Sequence, residues 1–111
     1  MPSIAPSNVR VSNLQLGELK VQWDPIPQQQ ANGRLVGYRV YYDDYPYWYG
    51  LKTVDTNNTM LVLRGLKVAH SYRISVAALT RVGSGPQSSR FYITTGTKLK
   101  SLFFFFVGVE K

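Results

Sequence analysis

The chain predicts an all-β fold, a seven-stranded Greek-key β-sandwich, on three observations. Short runs that alternate apolar and polar residues, punctuated by Gly, Pro and Asn, fill the first 95 positions. No stretch sustains a 3.6-residue period. The segment Leu66 to Arg73 places Tyr72 at the start of a period-2 run, six positions after the leucine that closes the preceding strand. A tyrosine there buries its ring between two sheets and turns its hydroxyl onto the backbone of the corner. Finally, 111 residues with 44% hydrophobic and 14% aromatic content suffice for one domain with one core and exclude disorder over the whole chain.

The elements follow in order. Val9 and Val11 alternate with Asn8, Arg10 and Ser12 in the first strand. Leu19, Val21 and Trp23 alternate with Lys20 and Gln22 in the second, which Asp24-Pro25-Ile26-Pro27 ends because proline cannot donate into a ladder. A polar loop with the turn signal Asn32-Gly33 leads to a third strand, Leu35 to Tyr42. There Val36, Tyr38, Val40 and Tyr42 are expected on one face, Arg39 and Tyr41 on the other. An aromatic connection, Asp43 to Gly50, precedes a short strand near Leu51–Val54 and a turn at Asp55 to Asn58. Thr59, Leu61 and Leu63 point inward along the next strand, with Leu66 closing it. Tyr72, Ile74, Val76 and Ala78 form the buried face of the sixth. After a glycine-rich loop, Val82 to Pro86, the last strand runs from Ser88 to Thr95 with Phe91 and Ile93 inward.

In this order and spacing the chain resembles a fibronectin type III domain, of the kind found in cell-surface adhesion receptors and receptor tyrosine phosphatases. The resemblance spans about Pro6 to Thr95. It rests on Ala5-Pro6, Trp23-Asp-Pro25, Asn32-Gly33, Gly37-Tyr38-Arg-Val40-Tyr-Tyr42, Leu66 with Tyr72, Val76-Ala-Ala78, Gly83-Ser-Gly85, Ser88 and Thr95. It implies an immunoglobulin-like sandwich with sheets A-B-E and C′-C-F-G, and Trp23, Tyr38, Leu66 and Tyr72 in its core. Val40, Leu61, Ile74 and Val76 complete the expected core. Two residues depart from the pattern: Val68 and His70 stand where the family has proline and threonine. The expected boundaries are a domain over 1–97 and an apolar tail over 98–111.

Composition bounds function. Without cysteine there is no disulfide, cysteine nucleophile or cysteine-based zinc site. One histidine and six carboxylates offer no convergent catalytic set, so no enzyme, cofactor or metal is expected. His70, and the adjacent Asp43 and Asp44, read as solvated turn residues. The Arg-Gly-Asp tripeptide known from this family is absent from the loop Arg81 to Pro86. A formal charge of +7 favours acidic partners, either a protein surface or a sulfated glycosaminoglycan of the heparin kind. No recognition helix or clustered lysines point to nucleic acid.

Strand alternation puts Arg39, Tyr41, Arg73, Ser75, Arg90 and Tyr92 outward on one sheet, where neighbouring strands lie about 4.8 Å apart. This predicts an arginine band suited to carboxylate or sulfate. Tyr45, Tyr47 and Trp48 form a second candidate surface, since aromatic side chains of this kind are favoured at interfaces. Asn57-Asn58-Thr59 is an N-glycosylation acceptor pattern on an expected turn. No signal peptide is visible at the N-terminus, so a secreted parent implies an excised piece.

The run Leu102 to Val109 is uncharged and far shorter than the roughly 20 residues of a membrane helix, so no direct membrane insertion is expected. It has three readings: an end foreign to the fold, a segment that packs on the sandwich or pairs with a second copy in a homodimer, or a truncated membrane segment. The expectation is thus a non-catalytic interaction, adhesion or spacer module of a larger extracellular or cell-surface protein. The alternatives are glycosaminoglycan binding and a passive linker domain in an extracellular enzyme.

Overall fold

In the computed structural model, residues 2–44 and 50–97 are described. Seven strands form in order: β1 (Ser7–Asn13), β2 (Leu19–Asp24), β3 (Leu35–Asp44), β4 (Lys52–Thr56), β5 (Met60–Leu63), β6 (Ser71–Thr80) and β7 (Phe91–Thr94). A 3₁₀ turn, Gln28–Gln30, interrupts the polar loop after β2. The sheets are β1-β2-β5 and β4-β3-β6-β7, the expected A-B-E and C′-C-F-G, and all pairings are antiparallel.

Alternation explains which face each strand buries. In β2, Leu19, Val21 and Trp23 are buried while Lys20, Gln22 and Asp24 are only partly covered. They meet Tyr38, Val40, Tyr72, Ile74, Val76 and Ala78 from the opposing sheet, and Leu61, Leu66 and Ile93 close the core from its edges. Trp23 and Tyr38 pack edge to face with ring centroids 5.6 Å apart. The Tyr38 hydroxyl accepts the Ile26 N–H at 3.2 Å, which satisfies a donor freed where prolines end β2.

Several elements differ from the sequence expectation. The register slips between Leu35 and Gly37, so a bulge turns Val36 outward, 43% exposed, and packs Leu35 against the core. Gly37 sits at φ 154°, and a Cβ there would lie 2.7 Å from the Thr56 carbonyl oxygen. Only glycine therefore lets β3 pass this close to the end of β4. The third strand runs on to Asp44, because Asp43 and Asp44 continue the ladder opposite Arg73 and Tyr72. Asp55 and Thr56 belong to β4 rather than to a turn. The final strand starts at Phe91, and Phe91 is only half-buried. Upstream of it, Ser88 still bonds β6, its N–H donating to the Val76 carbonyl at 2.8 Å and its hydroxyl accepting the Val76 N–H at 3.0 Å.

The corner forms as its residues require. The Tyr72 hydroxyl accepts the Lys67 N–H at 2.9 Å, with the ring buried. Thr95, also buried, locks the same turn: its hydroxyl accepts the His70 N–H at 2.9 Å and donates to the Lys67 carbonyl at 2.6 Å. Its own N–H donates to the His70 carbonyl at 2.9 Å. Asn13 ties the two sheets together, donating to the Thr94 carbonyl at 3.1 Å and accepting the Gly96 N–H at 3.0 Å. Ala69 takes a left-handed φ of 50°, a strained conformation for a residue with a Cβ.

Candidate functional site

The outer face of the four-stranded sheet is set by register. Arg39 faces Asp55 across β3 and β4, Tyr41 faces Ser75, and Asp43 faces Arg73, which faces Tyr92 in turn. The predicted arginine band is therefore interleaved with carboxylates. Arg39 forks onto Asp55, with Nε–Oδ1 2.7 Å and Nη2–Oδ2 3.0 Å. Hydrogen bonding from Arg39 holds the Asp55 carboxyl below its ordinary range, and the same bond raises the Arg39 guanidinium further above its own. Both side chains are partly open to water, so the pair contributes at most about 1 kcal/mol.

Arg73 is not the exposed cation its outward register suggests. It forks onto Asp43 through Nε–Oδ1 at 3.1 Å and a short Nη2–Oδ2 contact, with side-chain exposures of 9% and 4%. Asp43 is thus a buried partner and not a solvated turn residue. Asp44 is likewise drawn in. Its Oδ2 lies 3.3 Å from His70 Nε2 and 3.6 Å from Lys67 Nζ, and the side chains of Asp44 and His70 are 18% and 25% exposed. The His70 ring also packs edge to face on Tyr72, 5.5 Å between centroids, which takes it out of the solvated setting expected for a turn.

Charge pairing extends to every described carboxylate. Besides these, Glu18 approaches Arg64 at 3.5 Å and Asp24 approaches Arg10 at 3.5 Å. Among the described residues, Lys20, Arg34, Lys52, Arg81 and Arg90 form no ion pair. Of the predicted band, that leaves Arg90 as the uncompensated cation and Tyr92, 50% exposed, as the large outward aromatic. A cavity of about 110 Å3 opens beside Arg90, lined by Tyr41, Asp43, Leu51, Arg73, Ser75, Gln87 and Arg90.

Gln87 and Leu51 at this cavity escaped sequence reasoning. Gln87 lies on an irregular segment with no periodicity to orient it, yet the Ser75 hydroxyl donates to its Oε1 at 2.6 Å. Tyr45, Tyr47 and Trp48 lie outside the described residues, as does the tail 98–111. Asn57 is exposed after β4, where the acceptor pattern needs it. Among the described residues no group of three or more His, Cys, Asp or Glu is placed to hold a metal ion. Nor does any helix among them have the length and apolarity to cross a membrane.

Comparison with known proteins fixes the class. The sequence profile of the fibronectin type III domain matches residues 4–94. The chain is similar to MAM and fibronectin type III domain-containing protein 1 of Acropora millepora, 40% identical over 86% of this chain and 23% of that protein. It is also similar to receptor-type tyrosine-protein phosphatase F of Mus musculus, 40% identical over 79% of this chain and 5% of that protein. Among solved structures, the third fibronectin III domain of the human KIAA0343 protein aligns with a TM-score of 0.77 and 30% identity, over 86% of this chain and 84% of that one. The chain thus spans less than a quarter of the length of the curated relatives it matches. Strand order, tyrosine corner and profile agree, and the chain belongs to the fibronectin type III domain family.

Proposed function

We propose that the chain is a non-catalytic recognition module of a larger cell-surface or secreted protein. It engages a protein partner through the outer face of β4-β3-β6-β7 and the adjoining loops. One observation carries this reading: the chain matches a small share of much longer relatives, one of them named a receptor. The interior supports it, because Trp23, Tyr38, Tyr72 and the aliphatic core residues are consumed in packing. What is left to act is the exterior. There Arg90 and Tyr92 make the contact, with Tyr41 beside them. Arg39 and Arg73 hold the face in shape through their carboxylate partners. Tyr45, Tyr47 and Trp48 add to the contact, and Asn57, exposed just after β4, carries an N-linked glycan.

The heparin-like alternative is less favoured by the charge distribution. Arg39 and Arg73, two of the three band arginines, are neutralised by Asp55 and Asp43. The domain is taken to cover residues 1–97 with 98–111 a separate apolar tail, and pairing of two copies is one of the three readings of that tail. An unchanged mass by light scattering after removal of 98–111 dismisses that pairing.

The test is adhesion of cells displaying the parent protein, compared among three forms. One carries this domain, one carries Arg90→Ala with Tyr92→Ala, and one carries an unrelated sandwich of equal length. Recognition predicts loss in both altered forms. A spacer predicts full adhesion in both, and that result overturns the proposal.

A further inference from the structure

The outward cavity beside Arg90 has a donor inventory that specifies its ligand, and this inference rests on the protein-recognition reading above. We propose that the cavity lined by Tyr41, Leu51, Arg73, Ser75, Gln87 and Arg90 receives an aspartate or glutamate side chain of a protein partner, with the Arg90 guanidinium and the Gln87 amide N–H group as the recognising donors.

Hydrogen-bond accounting leads there. The one carboxylate in the wall, Asp43, already accepts from Arg73 with both oxygens. The Ser75 hydroxyl gives its proton to Gln87 Oε1 at 2.6 Å, which uses the acceptor end of that amide and leaves its Nε2 hydrogens as donors. Arg90 is exposed and forms no ion pair among the described residues. The cavity therefore offers donors and a single uncompensated positive charge, the complement of a carboxylate.

Its wall is pre-set, since the Arg73–Asp43 pair is buried and Ser75 is 4% exposed. Leu51, 59% exposed, and the Tyr41 ring supply an apolar rim for the methylene groups behind the carboxylate. A volume of about 110 Å3 suits such a headgroup. A polyanionic glycan needs several uncompensated cations together, and among the described residues Arg90 is the one that lines this cavity. Arg34 and Arg81 flank the Leu35↔Thr80 pair, at the far end of β3 and β6 from Asp43 and Arg73, Lys20 is on the other sheet, and Lys52, opposite Tyr42, lines a separate cavity with Arg64 and Lys67.

The test is a nuclear magnetic resonance titration of the full, isotope-labelled chain at constant ionic strength. The probes are N-acetyl-aspartic acid α-amide, its asparagine counterpart and sodium sulfate. The expected result is a saturable shift of the Gln87 side-chain amide and the Arg90 Nε–H with the aspartate probe. The asparagine probe binds at least tenfold more weakly, as does the aspartate probe to Arg90→Ala and to Arg90→Gln. Arg34→Ala binds as the unaltered chain does. Non-saturating shifts, or unchanged binding to both Arg90 variants, overturn the proposal. Sulfate binding more tightly than the aspartate probe overturns it too, in favour of a sulfated ligand. The titration needs no parent protein, so the two readings fail separately. A null titration with adhesion still dependent on Tyr92 removes only the cavity, whereas a saturable one with adhesion indifferent to Arg90 and Tyr92 removes only the recognition role.

Discussion

Replacing Tyr72 with Phe removes one oxygen from the corner and nothing else. The ring stays, so its packing against the core and against His70 is preserved and no cavity opens. What is lost is the acceptor for the Lys67 N–H, now bonded at 2.9 Å. The bond is part-buried, with Tyr72 4% exposed and Lys67 on the surface, so water replaces the hydroxyl only in part. An N–H stranded in this way costs about 1–3 kcal/mol. For a domain of this size, about 2 kcal/mol corresponds to a fall in Tm of roughly 8–16 °C. Urea denaturation followed by circular dichroism measures it, and the slope of free energy against urea is expected to stay constant because the same surface is buried. A loss below about 0.5 kcal/mol at constant slope refutes the reasoning, since it means the phenol oxygen does not support the turn.

Three further outcomes follow from the same geometry. Arg73→Met strands the buried Asp43 carboxylate and is expected to cost about 3–5 kcal/mol, whereas Arg73→Met with Asp43→Leu recovers most of that loss in the same denaturation assay. Ala69→Gly relieves a left-handed residue worth about 1–2 kcal/mol, against a backbone-entropy cost of about 0.5–1 kcal/mol, so a small net gain in Tm is expected and a fall contradicts the φ assignment. The Arg39–Asp55 pair shows itself in acid. Because the folded Asp55 carboxyl is held below its unfolded value, the stability it adds is present above about pH 4 and is lost as pH falls through the folded value. The gap between the unaltered chain and Asp55→Asn should be under about 1 kcal/mol at pH 7, shrink with salt, and close towards pH 2.

Much of the sandwich was legible because burial imposes a two-residue period. Leu19, Val21 and Trp23, then Tyr72, Ile74, Val76 and Ala78, could face only one way. The alternation failed at Val36, where a bulge adds one residue and inverts the faces upstream of Gly37. It misleads differently at Arg73, which lies opposite Asp43 and Tyr92 in register yet is buried. Direction follows from period, while exposure depends on the neighbours that cover the side chain, here Asp43 held opposite by register. That pairing exists because β3 runs on to Asp44. The lock at Thr95 and the tie at Asn13 were missed because each joins segments far apart in sequence. Nothing local marks a threonine whose partners are the carbonyl and N–H groups of Lys67 and His70. Gln87 carried no signal for the same reason.

The most direct measurement is competition by the soluble chain against adhesion mediated by its parent protein. Recognition through the β4-β3-β6-β7 face predicts dose-dependent inhibition by the unaltered chain and little by a folded Arg90→Ala, Tyr92→Ala form. Equal inhibition by both forms, or none by either, contradicts the account.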